Sequence, residues 1–307
     1  MGELSKKIGD EGEELINQFL DRIGWTKTQR QYDIDCEKRD EHQRKGSKSP
    51  RRTHGGDILF SYICPFIPGV RRNILVSVKN SNFEKTGMKV TTVTDDLKEL
   101  NMLINCFEVS ERRSNLQLSG GANVTTDIGL LIRINRDPDS ERSFLGENGI
   151  EQVQLEGSNP IYFVENDRFD FIDCCMEYLK RNFGDRENKF YIHKNSLNLS
   201  GEVRRMESAF LPVQNLVAGP IAIRSSLNAE KDFILFSDQE FSEFCLEKMI
   251  GIALACSNGW ASRITIVFHG YDRTKKDAFD AVIAKIDDSS FSSSVTCDSF
   301  TVKSRLK

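Results

Sequence analysis

The run His54–Asn80, HGGDILFSYICPFIPGVRRNILVSVKN, constrains the fold more than any other stretch of the chain. Ile58–Ile63 and Ile74–Val78 are apolar runs of strand length, and Pro65, Pro68 and Gly69 punctuate the segment between them. The run reads as a pair of strands joined by a turn. Asp57 heads the first strand, and Ser77 and Lys79 close the second. Residues two apart share one face of a strand, so the Ser77 hydroxyl and the Lys79 ammonium project together. Hairpin pairing brings Asp57 and Lys79 to the same end of the sheet. Two roles fit a carboxylate and a lysine that meet there: a phosphodiester-cleaving site and an ordinary salt bridge.

The flanking segments supply a scaffold for such a sheet. Upstream, Ile8, Leu15, Ile16, Phe19, Leu20 and Ile23 recur at helical steps, and Gly24 followed by Trp25 ends the helix. Glu13 lies at the border of that apolar stripe. It fits either a first-turn acid favoured by the helix dipole or a carboxylate offered to a site. Gln29–Asp35 is a short strand. Between it and Asp57, Cys36–Gly55 holds seven basic residues (Lys38, Arg39, Arg44, Lys45, Lys48, Arg51 and Arg52) and no large apolar one. This is either a solvated loop or an arm that grips phosphates. Downstream, Asn80–Thr94 reads as loop. Asp95–Phe107 reads as a helix capped by Thr94 or Asp95, Glu111–Thr126 as loop, and Asp127–Ile134 as a buried strand. Arg136–Gly149 is loop, Pro160–Val164 a strand and Arg168–Phe183 a helix.

Gly184–Asn188 (GDREN) is the expected boundary between a first domain, residues 1–184, and a second, residues 185–307. In the second, Phe190–His193, Phe233–Phe236 and Ile264–His269 read as strands. Asp238–Asn258 and Lys275–Ile286 read as helices, the first long, amphipathic and containing Phe241, Phe244 and Leu246. That alternation implies a smaller α/β domain with some parallel pairing. The tail Ser289–Lys307 is rich in serine and carries no clear pattern.

Composition excludes several classes. With 38% hydrophobic and 29% charged residues, the chain is of ordinary globular composition. Its longest apolar run, Met249–Cys256, is far short of the roughly 20 residues a membrane span needs. The polar, acidic N-terminus does not read as a secretory signal, so a cytoplasmic location is expected. None of the eight cysteines forms a CxxC pair, and the four histidines, His42, His54, His193 and His269, lack ligand spacing. Buried reduced thiols are expected rather than disulfides or zinc. A net charge of −4 gives no global field for nucleic acid, so binding to it has to come from local patches.

The order helix, strand, strand, strand, helix, strand, with Gly56-Asp57 on the middle strand and Ser77-Val78-Lys79 on the next, resembles the PD-(D/E)xK nuclease superfamily. Restriction endonucleases and archaeal Holliday-junction resolvases belong to it. Gly9-x-x-Gly12-Glu13, opening a helix that ends at Gly24-Trp25, is similar to the opening of the resolvase-like members. The resemblance covers about residues 8–135. Met1–Trp25 and the SVKNS run are also similar to nuclease subunits of two-gene, abortive-type phage-defence systems of the GAPS kind.

The resemblance implies a restriction-endonuclease-like mixed sheet flanked by helices, and a metal-dependent DNA endonuclease of bacterial anti-phage defence. It implies Mg²⁺ or Mn²⁺ held by Asp57, Glu13 and the Val78 carbonyl. Lys79 would orient the attacking water or stabilise the transition state. Ser77 and His54 would contact phosphate or water, and Arg44, Lys45, Lys48, Arg51 and Arg52 would grip DNA. Ser77 departs from the family, which usually has Glu, Asp or Gln there, so Glu13 is expected to provide the second carboxylate. The second domain would form a homodimer or dock a second protein subunit. The departure at Ser77 also fits a catalytically inactive module that binds DNA or a partner protein as a sensor or scaffold. A third reading is a purely structural subunit that uses Asp238–Asn258 as its interface.

Overall fold

The computed structural model describes residues 2–43, 46, 49–81, 89–118, 122–135, 159–192, 207–257 and 259–301, with side chains of the first helix described from residue 12 onward. The chain divides into two compact units between Asp167 and Arg168. The division falls in the first turn of the helix Asn166–Phe183, upstream of the GDREN turn.

Unit 1 starts with α1 (Gly2–Arg22) and continues through β1 (Thr28–Asp35), β2 (Thr53–Ile63), β3 (Val70–Ser81), α2 (Val90–Glu108), α3 (Glu111–Leu118), β4 (Val124–Asn135) and β5 (Ile161–Val164). The five strands form one sheet in sequence order. β1, β2 and β3 pair antiparallel, and β3, β4 and β5 pair parallel. The short Pro-Gly turn makes β2 and β3 antiparallel, and β1 pairs antiparallel with β2 across the longer basic loop. The parallel β3–β4 pair requires a crossover, which α2 and α3 supply.

Each face of the sheet buries one set of alternating side chains. Leu59, Leu75 and Leu131 pack with Leu97, Leu100, Ile104 and Phe107 of α2. On the other parity, Phe60 stacks against Trp25, which directly follows α1, with ring centroids 4.5 Å apart. Gly129 sits where a side chain would collide with α2, since an added Cβ would lie 2.8 Å from Ile104.

Two expectations in this unit are corrected. α2 begins at Val90, a turn before Thr94 or Asp95, and no side chain caps it. Glu111–Leu118, expected to be loop, is helix α3, entered through Ser110, whose hydroxyl accepts the Arg113 N–H at 3.2 Å. Arg136–Gly149 lies outside the described residues.

Unit 2 holds most of α4 (Asn166–Phe183), then β6 (Glu187–Tyr191), β7 (Glu207–Ser208), α5 (Val213–Val217), β8 (Ile221–Leu227), β9 (Glu230–Glu240), α6 (Glu243–Ser257), β10 (Arg263–His269), α7 (Lys276–Ile283), α8 (Ser289–Ser294) and β11 (Val295–Phe300). Its six-stranded sheet runs β11-β10-β9-β8-β6-β7, with β9, β10 and β11 parallel. The serine-rich tail therefore contributes a helix, capped by Asp288, and an edge strand. α6 is shorter than expected because Asp238–Glu240 extends β9, and its Phe244 is 74% exposed.

Candidate active site

The centre of unit 1 is a fork in its sheet. β2 pairs with β3 from Ile63↔Arg71 to Ile58↔Val76, and with β1 from Phe60↔Thr28 to Thr53↔Asp35. β3 runs on beside β4 to Ser81↔Asn135. Beyond Val76 the two strands have parted, and Asp57 stands at the point of parting. Its carboxylate accepts the backbone N–H of Val78 at 2.6 Å, taking the place of a ladder carbonyl. In an extended strand the N–H and C=O of one residue point to the same side. The Val78 carbonyl therefore also faces the fork.

α1 meets the same end of the sheet. Gly12 lies so close to β3 that an added Cβ would fall 2.7 Å from the Asn80 Cβ, immediately after Lys79. The next residue is Glu13, whose Oε2 accepts the Gln31 side-chain N–H at 3.3 Å. Gln31 occupies the β1 position across from Asp57, between the pairs Arg30↔Ile58 and Tyr32↔Gly56. Its φ of 46° places it in the left-handed region, which is costly for a non-glycine residue. Gln31 thus links the acid of α1 to the strand position beside the acid of β2.

Lys79 projects from the α2 face, the face of Leu75. There it meets Asp96 of α2, whose pKa is raised by burial against the opposing pull of Arg133 and Lys79. Arg133 is the β4 register partner of Lys79 and forms an ion pair with Asp96. Tyr32 completes the surroundings. Its phenol is buried, its hydroxyl has no hydrogen-bond partner among the described residues, and burial and the charge of Asp57 raise its pKa. Arg112 lies 5.5 Å above its ring. Gly56 admits that ring, since a Cβ there would sit 2.2 Å from Tyr32 Cζ.

Asp57, Val78, Lys79, Glu13 and Ser77 thus come to one end of the sheet. The Asp57 carboxylate and the Val78 carbonyl are hard oxygen donors, of the kind that suits Mg²⁺ or Mn²⁺ better than a soft ion, whereas Glu13 stands on α1, which meets the Asn80 face of β3, opposite to the face of Lys79. The expected DNA-gripping residues fare differently. Arg51 is buried, donates to Glu99 of α2 at 2.5 Å and to the Thr53 carbonyl at 3.0 Å, and so braces the β1–β2 loop. His54 is wholly buried, with Nε2 3.2 Å from His42 Nδ1, and does not reach a phosphate from there. Arg52 is exposed. Arg44, Lys45 and Lys48 lie outside the described residues. Gln31, Tyr32 and Asp96 are additions that the sequence reading missed. None belongs to a local motif, and only the strand register and the α2 packing reveal them.

The family model described as the GAPS4 protein PD-(D/E)XK nuclease domain matches residues 1–168, more than half of the chain. The chain belongs to this family. The match ends where unit 1 ends, so the sheet with the fork is the restriction-endonuclease-like nuclease domain of a defence protein. PD-(D/E)XK nucleases generally use divalent metals. No curated protein and no solved structure matches the chain. No helix among the described residues is long and apolar enough to cross a membrane.

Proposed function

We propose that this GAPS4-family chain is a Mg²⁺- or Mn²⁺-dependent DNA endonuclease of anti-phage defence, with Asp57, Glu13 and the Val78 carbonyl as metal ligands and Lys79 as the catalytic cation. The observation that carries the reading is the Asp57 carboxylate at the fork, fixed by the Val78 N–H with Lys79 next in the chain. That hydrogen bond holds the acid in one orientation before any ligand arrives, which reduces reorganisation during reaction. When bound, the ion supplies Lewis-acid polarisation of the scissile phosphate and acidifies nearby water. Lys79 donates to a non-bridging phosphate oxygen and offsets the charge that builds in the transition state. Gln31 holds Glu13 in place, and Asp96 opposes the charge of Lys79. Arg52, with the basic loop around it, supplies sequence-independent attraction to the phosphodiester backbone.

Unit 2 serves a partner in this reading, either a second protein subunit or a second copy. Phe244 at 74% and Leu254 at 49% exposure give α6 apolar surface of the kind a subunit contact covers.

Plasmid nicking tests the assignment. With Mg²⁺ or Mn²⁺ the wild-type chain, together with its cognate partner where required, converts supercoiled DNA to nicked or linear forms. Asp57→Ala and Lys79→Ala each reduce the rate by at least about 100-fold, the scale of losing one catalytic charge. A neutral Ser77 where relatives usually carry an acid favours a second reading, an inactive module that binds DNA or a partner as a sensor. DNA binding with no cleavage, equal in wild type and Asp57→Ala, would establish that reading instead.

A further inference from the structure

We propose that Cys36, His42, His54 and Cys106 form a structural zinc site in the nuclease unit, separate from the oxygen-lined fork. Cys36 directly follows β1, His42 lies in the β1–β2 loop, His54 is the second residue of β2, and Cys106 is on α2. All four side chains are buried, and one ligand atom from each lies within 4.8 Å of the other three. Cys36 Sγ is 3.6 Å from His42 Nδ1, Cys106 Sγ is 3.4 Å from the same nitrogen, and His54 Nε2 is 3.2 Å from it. A tetrahedral zinc with ordinary bond lengths requires S···N edges of about 3.5 Å and N···N edges of about 3.3 Å. All three measured edges agree with those values to within a few tenths of an ångström.

Hydrogen bonding alone does not account for this arrangement. An imidazole nitrogen has one in-plane direction, used by either a lone pair or an N–H. Here three heavy atoms from three elements converge on His42 Nδ1. A cation shared by all four groups accounts for the convergence, because each then points its lone pair at the ion rather than at a neighbour. Charge balance agrees: two thiolates and one divalent cation make a neutral unit, the form that burial tolerates. The N₂S₂ donor set favours zinc over Mg²⁺ or Mn²⁺. Four protein ligands fill a tetrahedral shell, so the site holds structure and performs no hydrolysis.

The position gives that structural role a purpose. The site ties both ends of the basic β1–β2 loop to α2. His54 anchors β2 three residues before Asp57, and the Arg51–Glu99 ion pair braces the same loop against the same helix. The spacing of the ligands resembles no zinc motif because three separate elements supply them.

Metal analysis of the full-length chain, purified under reducing conditions from zinc-supplemented medium, tests the proposal. About one zinc per chain is expected, falling to below about a tenth in Cys36→Ser/Cys106→Ser and retained in Asp57→Ala. In case the cysteine variant fails to fold, wild-type protein stripped by chelator is titrated with Co²⁺. The visible bands of tetrahedral thiolate-bound cobalt should appear and vanish when zinc is added. Wild-type protein without zinc and without those cobalt bands would overturn the site. So would full zinc content in the folded double-serine variant. Neither result bears on the fork, whose Mg²⁺-dependent nicking is measured separately.

Discussion

Gln31 combines two features that rarely occur together in a strand: a left-handed backbone and a side chain committed to a carboxylate on another element. Holding a non-glycine residue in that region costs about 1–2 kcal/mol, and the cost persists only where the surroundings enforce it. At Gln31 the enforcing features are its register position across from Asp57 and its hydrogen bond to Glu13. Stability and activity should therefore separate in Gln31→Gly. Glycine relieves the backbone strain, so thermal unfolding should be unchanged or raised by about 1 kcal/mol. Loss of the amide frees Glu13, so nicking should slow. Equal activity in the variant, measured on plasmid at matched folded concentration, would reduce Gln31 to an incidental surface contact. Asp57 and Lys79 were legible at this scale because strand alternation and one turn are enough to place them. Gln31, Tyr32 and Asp96 were not, because their relation to the fork is set by register across β1 and by packing from α2. His54 was misread for the same reason. Next to glycines and arginines in sequence it resembles a phosphate contact, and only the folded loop turns it inward to His42.

The helix α1 reaches the fork because Gly12 lets it sit almost on the backbone of β3. An added methyl at that position would lie 2.5 Å from Asn80 Nδ2 and 2.7 Å from its Cβ, too close for either atom to remain in place. Gly12→Ala should push the helix outward, destabilise the chain by about 1–3 kcal/mol and withdraw Glu13 from Gln31. Denaturant unfolding and nicking should both register the change. An unaltered nicking rate in a destabilised variant would mean that Glu13 is not needed for the chemistry. β2 to β5 could be read from sequence because each carries a dense apolar run, while β1 (TQRQYDID) shows only Tyr32 and Ile34 two apart. α3 could not, since ERRSNLQL has only two apolar residues, two apart rather than at helical spacing, and its helical state depends on the Ser110 turn and on the packing of Leu116. In unit 2, the apolar run of β9 continues almost directly into α6. Periodicity alone cannot place that junction, and the β9–β10 pairing Glu240↔His269 settles it.

At the scale of the molecule, each unit has a cluster of its own. One groups α2 with β1 through β5, including Ile104, and the other groups α6 and α7 with β9 and β10, including Phe268. No described residue belongs to both of these clusters. The chain has two tryptophans, and each reports on a different unit. Trp25 is fully buried against Phe60, while Trp260 stacks on Tyr191 and donates its indole N–H to the Cys256 carbonyl at 2.9 Å. Single-tryptophan variants, Trp260→Phe and Trp25→Phe, therefore give separate fluorescence readings of the two units. In the Trp25 background, Ile104→Ala should lower the unfolding free energy by about 2–5 kcal/mol, the cost of a cavity in a packed core. In the Trp260 background the same substitution should leave the denaturant midpoint unmoved. Phe268→Ala should do the reverse, costing about 3–5 kcal/mol at Trp260 and nothing at Trp25. A shift of both reporters by either substitution would mean that the two cores unfold as one cooperative unit. The nuclease fork and unit 2 would then be energetically coupled through stability alone.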